Sequence, residues 1–585
     1  MLSTPDRSSS QIHTPPVVRA DRLRRGLSLI AVAWMLSACG GADSDKPEPI
    51  SDAEAVRFLE QASFGPTSQD ISRLQSLGYA RWIDEQLSLN STLPNHLATV
   101  EAIATARGAT KPDGNDVTHS WWTHAIRDNA QLRQRVAFAL SQIFVVSTAG
   151  DLGGEGRTVA SYMDMLARNS TENYRQLLED VAMHPAMGAY LSHRGNRKED
   201  PTSGRVPDEN FAREVMQLFS IGLYELNPDG TVKLTNGRPT ETYTSNDVKG
   251  LAKVFTGFSW NWPAAKSSLA WWKCFWRGTE CRDPSQETTA MSGYAQEHSV
   301  SAKDFLGVSI PAQGTANPQL SLKLALDRLA THPNTAPFIS KQLIQRLVAS
   351  NPSDAYVRDI ASVFTATGGD LGQVVKAILL HDEARDPSGE PTAGKLREPV
   401  LRIAHLMRAL PHTSDTYATQ LSQGRTGYYP IGETDNPGSA LGQTPMRAPS
   451  VFNFFRPGYK PPQSELGSRD LVSPEMQITT ETTVIGYANF VSTILNSGWG
   501  KWNSGNSQYD VRFDLGEFDA LVGKPDELID AVSKKVLRDT LPTDTRSTAI
   551  TALTAMPTST ATQRRRVIQA AILMTAVSPD FITQD

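Results

Sequence analysis

The densest cluster of groups able to do chemistry is Asp208-Glu209-Asn210-Phe211-Ala212-Arg213-Glu214. Pro207 can open a helix there, with acidic residues in the first turn, where the backbone dipole favours negative charge. Glu209 and Arg213 then become i,i+4 partners, as do Asn210 and Glu214. Phe211, Val215, Leu218 and Phe219 form the apolar side, which sets Glu214 at the edge of a buried stripe. Burial raises the pKa of such a carboxyl. It is then either an acid–base group or a structural carboxylate held by Asn210 and Arg213. Other chemistry is thinly represented. None of the 11 histidines has the spacing of a metal pair. His119 and His124 face apart on a helix. His184 and His332 each precede a proline, at helix ends where an imidazole can satisfy terminal carbonyls. The chain has no Gly-x-Ser-x-Gly, no HExxH and no phosphate-binding loop. No cofactor and no metal is expected.

The three cysteines carry the next signal. Residues 26–40 read GLSLIAVAWMLSACG behind a basic segment holding Arg19, Arg22, Arg24 and Arg25. A basic flank, a short apolar run and small residues before a cut make an export segment. The apolar run is too short to span a bilayer comfortably. With Cys39 following the cut, the segment resembles the lipobox of bacterial lipoproteins. That resemblance implies lipid on Cys39, attachment to a membrane, and, since Gly40 and Gly41 follow it, the outer membrane of the cell envelope. In an exported chain, Cys274 and Cys281 in WWKCFWRGTEC predict a local disulfide. Around them stand Trp260, Trp271, Trp272 and Trp276. Exposed, these rings could stack on sugars or anchor a partner. Folded back, they would staple their own loop.

Elements to position these groups are mostly helical. Apolar residues recur at helical spacing over 53–61, 132–146, 162–168, 174–183, 211–223, 322–330, 336–348, 355–364, 371–380 and 399–410. Arg564-Arg565-Arg566 opens another such stretch to Val577. Asn227-Pro228-Asp229-Gly230 is a strong turn, and the residues from Thr231 to Thr244, with Asn236-Gly237 between them, predict a short hairpin. The fold class is mainly α. One large helical domain spans 51–585, with loop-rich insertions near 258–300 and 411–470, behind a signal segment at 1–38 and a tether at 39–50. A net charge of −5 and the absence of a basic stripe argue against nucleic acid as a partner.

Several phrases then occur together and in order. They include RFLEQASFGPT (57–67), LRQRVAFALSQIFVVS (132–147), VPDENFAREVMQLFSIGLYELNPDG (206–230), DVKGLAKVFTGF (247–258), GKLREPVLR (394–402) and APSVFNFFRPGY (448–459). Together they resemble the bacterial domain-of-unknown-function family numbered eighteen hundred, from about residue 53 to the C-terminus. The resemblance implies a mainly helical, exported protein and an exported sulfatase-like partner; it brings no reaction with it. Many members carry two histidines where this chain has Ser141 and Ile143, and Glu-Leu-His where it has Gln217-Leu218-Phe219. Any metal chemistry built on those histidines is therefore missing here. His298 stays in the matching HxxxxKxFLG context. Two functions follow: a lipid-anchored binding or assembly component, or an envelope hydrolase acting on a polymer. The hydrolase should gather Glu214, His298, Arg213 and Asp247 in one cleft.

Overall fold

Helix starts in this chain are written as capping residues. Ser51 accepts the Glu54 N–H while the Glu54 carboxylate accepts the Ser51 N–H, and helix Asp52–Ala62 begins. The same reciprocal box opens Ser68–Leu77 from Thr67, Gly114–Arg127 from Asp113, Ser245–Val254 from Thr244 and Ala561–Ala576 from Thr560. Each satisfies two backbone N–H groups that the first turn leaves without partners.

The computed structural model describes residues 49–389, 392–537 and 539–584. The expected export segment, Cys39 and most of the expected tether lie outside them. The chain divides into two units, Met1–Pro49 and Ile50–Asp585. The second is mainly α, with short antiparallel strand pairs.

Helices Tyr174–Met183 and Leu371–Leu380 stand where the periodicity predicts them. Others stop early for local reasons. The 132–146 stretch is helical only over Gln131–Ser141. Ile143, Val145 and Val146 follow as a buried non-helical segment, in keeping with the poor helix propensity of β-branched residues. The 211–223 stretch is helical over Asn210–Gln217. It ends where Ile221 and Gly222 both donate to the Met216 carbonyl, with Gly222 at φ 73°. Pro207 does not open that helix. Asp208 stands before it as a turn: its carboxylate accepts the Asn210 N–H and its own N–H bonds Asn196.

Long helices that apolar spacing does not announce include Gly114–Arg127, Glu481–Ser497 and Pro525–Val536. A three-stranded antiparallel sheet, with Gln508–Phe513 between His412–Ser414 and Trp499–Asn503, is a further addition. One continuous apolar core runs through the unit, built around fully buried rings such as Phe58, Trp122, Tyr162, Tyr174 and Phe219.

The hairpin forms as expected. Asn227 and Thr231 close the first turn, and Leu234–Thr235 pairs with Arg238–Pro239. Asn236 and Gly237 both adopt positive φ, 53° and 76°, the geometry of a two-residue hairpin turn. The 258–300 region is an excursion that leaves and returns at one place, because Phe258–Ser259 pairs with Ser292–Gly293. Inside it the Cys274–Cys281 disulfide spans a Cα separation of 5.1 Å. Cys274, Phe275, Cys281 and Tyr294 form a small core of their own, with Trp262 and Trp271 packed against it. Among the described residues no helix is long and apolar enough to cross a membrane.

Candidate functional site

A cleft of about 630 Å³ opens between the hairpin and helix Thr335–Leu347. That volume is in the range of small-molecule sites. Its two walls differ in character. The hairpin side supplies Leu223, Leu226 and Val232, joined by Leu218 and Phe338. The floor is polar: Gln142, Gln342, Gln345, Arg346 and Ser350, all buried.

The floor is polar because a helix ends there. The last carbonyls of Thr335–Leu347 have no helical partner and must find donors. Lys395 Nζ donates to the Gln345 and Arg346 carbonyls (2.7 and 3.2 Å), and Arg135 Nη2 to that of Arg346 (2.7 Å). Gln584 Nε2 takes the Leu347 and Val348 carbonyls (2.8 and 2.9 Å). Cations at a helix C-terminus also meet the negative end of its dipole. Lys395 and Gln584 are delivered together, because Lys395–Leu396 pairs with Thr583–Gln584. Two carboxylates balance these cations. Glu475 pairs with Lys395 at 2.8 Å. Glu398 accepts from Gln142 Nε2 (2.5 Å) and Gln443 Nε2 (2.6 Å).

Within this network some buried atoms of cleft-lining residues stay unmatched. Arg346 donates through Nη1 to the Gln342 carbonyl and through Nη2 to that of Gln142. Its Nε has no partner, nor have Gln142 Oε1, Gln342 Nε2 and Ser350 Oγ. Unmatched buried polar atoms each cost free energy, of order 1–3 kcal/mol. Burial pushes the Arg346 guanidinium down to about 10 and lowers Lys341 as well. Lys341 makes no hydrogen bond or ion pair within 4 Å among the described residues; Asp354 and Asp229 act on it only from farther away.

The residues singled out for acid–base work lie outside this lining. Glu214 is 9 % exposed, and burial raises its pKa against the pull of Arg213. It is not paired with Asn210, whose side-chain amide reaches Ser192 instead (3.4 Å). Glu214 Oε2 is buried without a partner. Arg213 pairs with Glu209 at 3.3 Å, as the spacing predicts. Asp247 is a helix cap: it accepts from Thr244 and, through Oδ1, from the Leu306 N–H (2.7 Å). His298 is fully buried between the Thr256 carbonyl (2.8 Å at Nδ1) and Ser321 Oγ (3.0 Å at Nε2), and burial brings its pKa down to about 4. His184 stands at a helix end, as expected, between Tyr174–Met183 and Pro185–Tyr190, and caps the second with its Nδ1 accepting the Ala186 N–H (3.2 Å); His332 lies between Pro318–Ala330 and Thr335–Leu347, its Nδ1 accepting the Asn334 N–H (3.2 Å). Among the described residues no three His, Cys, Asp or Glu side chains are placed to hold a metal ion.

The tryptophans of the excursion divide. Trp260 lies between the guanidinium groups of Arg194 (3.8 Å) and Arg277 (4.1 Å). Trp271 folds onto the excursion's own core. Trp272 and Trp276 are exposed, 51 % and 57 %.

A family model described as "Protein of unknown function (DUF1800)" matches residues 57–583. No curated protein and no solved structure gives a match. Gln142, Ile143, Gln217 and Leu218 all line the cleft wall, whereas Ser141 and Phe219 lie outside its lining.

Proposed function

We propose that this chain, which belongs to the DUF1800 family, works by holding a ligand in the hairpin-roofed cleft, as a component of the bacterial envelope anchored through lipid on Cys39. The observation that carries the reading is the cleft itself: an open space of about 630 Å³ with an apolar wall and a floor of buried polar side chains, four of which, Gln142, Gln342, Arg346 and Ser350, keep a polar atom without a protein partner. Buried polar groups are normally satisfied, and a site that keeps several open is built for something that supplies the missing partners. An envelope hydrolase is less well supported. Glycoside cleavage uses two carboxyl groups flanking the bond, and acyl transfer an activated nucleophile. The one carboxylate in the lining, Asp470, is engaged by Lys460. An exported sulfatase-like protein is the proposed partner for delivery or release of the ligand. Its membrane side is proposed to be the outer membrane, on the strength of the residues after Cys39.

A thermal-shift screen of envelope small molecules and polymer fragments tests the binding reading. Val232→Trp closes the mouth from an exposed position (41 %) and leaves the core alone. Ligands that stabilise the parent and not this variant support the reading. A screen in which every stabiliser acts equally on both overturns it.

A further inference from the structure

The cleft's charges narrow what it can hold. Four cations line it, Lys341, Arg346, Arg456 and Lys460, against the single acid Asp470. Asp470 neutralises Lys460, which leaves three. Arg456 stacks over the Phe452 ring at 4.6 Å, at the solvent edge. Lys341 stands four residues before Gln345 on helix Thr335–Leu347, and Gln342 four before Arg346, and all four line the cleft. Neither Lys341 nor Arg346 has a carboxylate within 4 Å among the described residues. Behind them Arg135 and Lys395 already face the two buried carboxylates, Glu398 and Glu475, which leaves none over for Arg346. A buried cation without a counter-ion is costly, and an arriving anion would remove that cost. The opposite wall is apolar and reaches solvent, where Leu223 and Val232 are 46 % and 41 % exposed. Exposed apolar side chains at the mouth of a pocket are places for an apolar body to rest.

Building on the binding reading above, we infer that the ligand is an amphipathic anion: a single carboxylate or phosphate head held by Lys341 in the field of Arg346, with an apolar body along Leu218, Leu223 and Val232. The Lys341 ammonium, which has no hydrogen bond or ion pair of its own among the described residues, is the group an anionic oxygen meets first.

Octanoate, octyl phosphate and the neutral isostere octanamide serve as probes, titrated into the full chain in lipid nanodiscs, with uptake by empty discs subtracted. At least one of the two anions should bind about tenfold tighter than octanamide or better, a preference that weakens with salt. Octanoate or octyl phosphate alone would identify the head group, and both support the inference. Lys341→Met, of similar shape, should erase the preference while octanamide binding holds. Lys341→Arg should keep it, and Val232→Trp should weaken all three. Equal binding of anions and amide overturns the inference while the binding reading stands. Anion binding indifferent to Lys341→Met and Val232→Trp overturns it too, by placing the site elsewhere. If no probe binds, the inference fails, and the thermal-shift screen judges the binding reading separately.

Discussion

Glu214 bears a burden where a partner was expected. With Asn210 turned to Ser192, its Oε2 is buried and receives nothing. Its folded pKa is raised above 4.5 by burial. A raised carboxyl favours the folded state at low pH, and that contribution is lost as pH rises from about 4.5 through the folded value. Near neutral pH the ionised group therefore weighs on the fold. Glu214→Gln should leave stability at about pH 7 unchanged or raise it by up to about 1 kcal/mol, and flatten its pH dependence just above about 4.5. Urea unfolding of both proteins at several pH values checks this; a clear loss at neutral pH would mean the carboxylate has a favourable partner. His298 shows what sequence could and could not give at this scale. Its family context marks it as special. Only the fold shows that Thr256 and Ser321 occupy both ring nitrogens.

Among elements, the excursion is the clearest case of local logic. Few apolar residues at helical spacing fall between 258 and 300, so a cross-link and a small aromatic core take the place of a packed helix. Closing so short a loop contributes about 2–3 kcal/mol on the chain-entropy account. Because that core is separate from the main one, Cys274→Ser with Cys281→Ser should loosen the excursion and spare the body. Hydrogen exchange should rise within 258–293 and stay level in helices such as Tyr174–Met183. Uniformly faster exchange would show that the excursion braces the whole unit. The disulfide and hairpin were legible because both are short-range, set by spacing and turn residues. Helix ends were less so: Ser141 and Gln217 stop their helices where a β-branched run and a positive-φ glycine follow, and apolar spacing alone runs past both. The cleft floor was the least legible. Gln342, Gln345 and Arg346 do make a polar ridge at helical spacing in an otherwise apolar stretch, a signal that could have been noticed. What gives the ridge meaning is Gln142 meeting Glu398, 256 residues away. No local pattern encodes that meeting.

At the scale of the molecule, burial of histidine has a collective effect. His119, His193, His298, His332 and His412 are each pushed down to about 4 and His184 to about 3, with desolvation the largest cause throughout. The folded chain keeps them neutral while the unfolded chain protonates near 6.5. Their contribution is complete above about 6.5 and is lost as pH falls toward about 4, at up to about 1.4 kcal/mol per pH unit for each. Raised acids such as Asp164, at about 6, work in the opposite direction but are fewer. The urea midpoint should therefore fall steeply between about pH 7 and pH 5. A midpoint that holds or rises over that interval would contradict the buried, neutral assignment.

The pairing of Phe258–Ser259 with Ser292–Gly293 has a consequence for tolerance of change. The excursion starts and finishes side by side and carries its own core and its own clasp, while Arg157, Arg194 and Arg197 of the body reach Glu287, Trp260 and Trp276 within it. A change of length between Trp262 and Cys281 spares both strand ends and the body's grip on Trp260 and Glu287. The chain there is a lanyard: its loop can be re-cut while its knot stays tied.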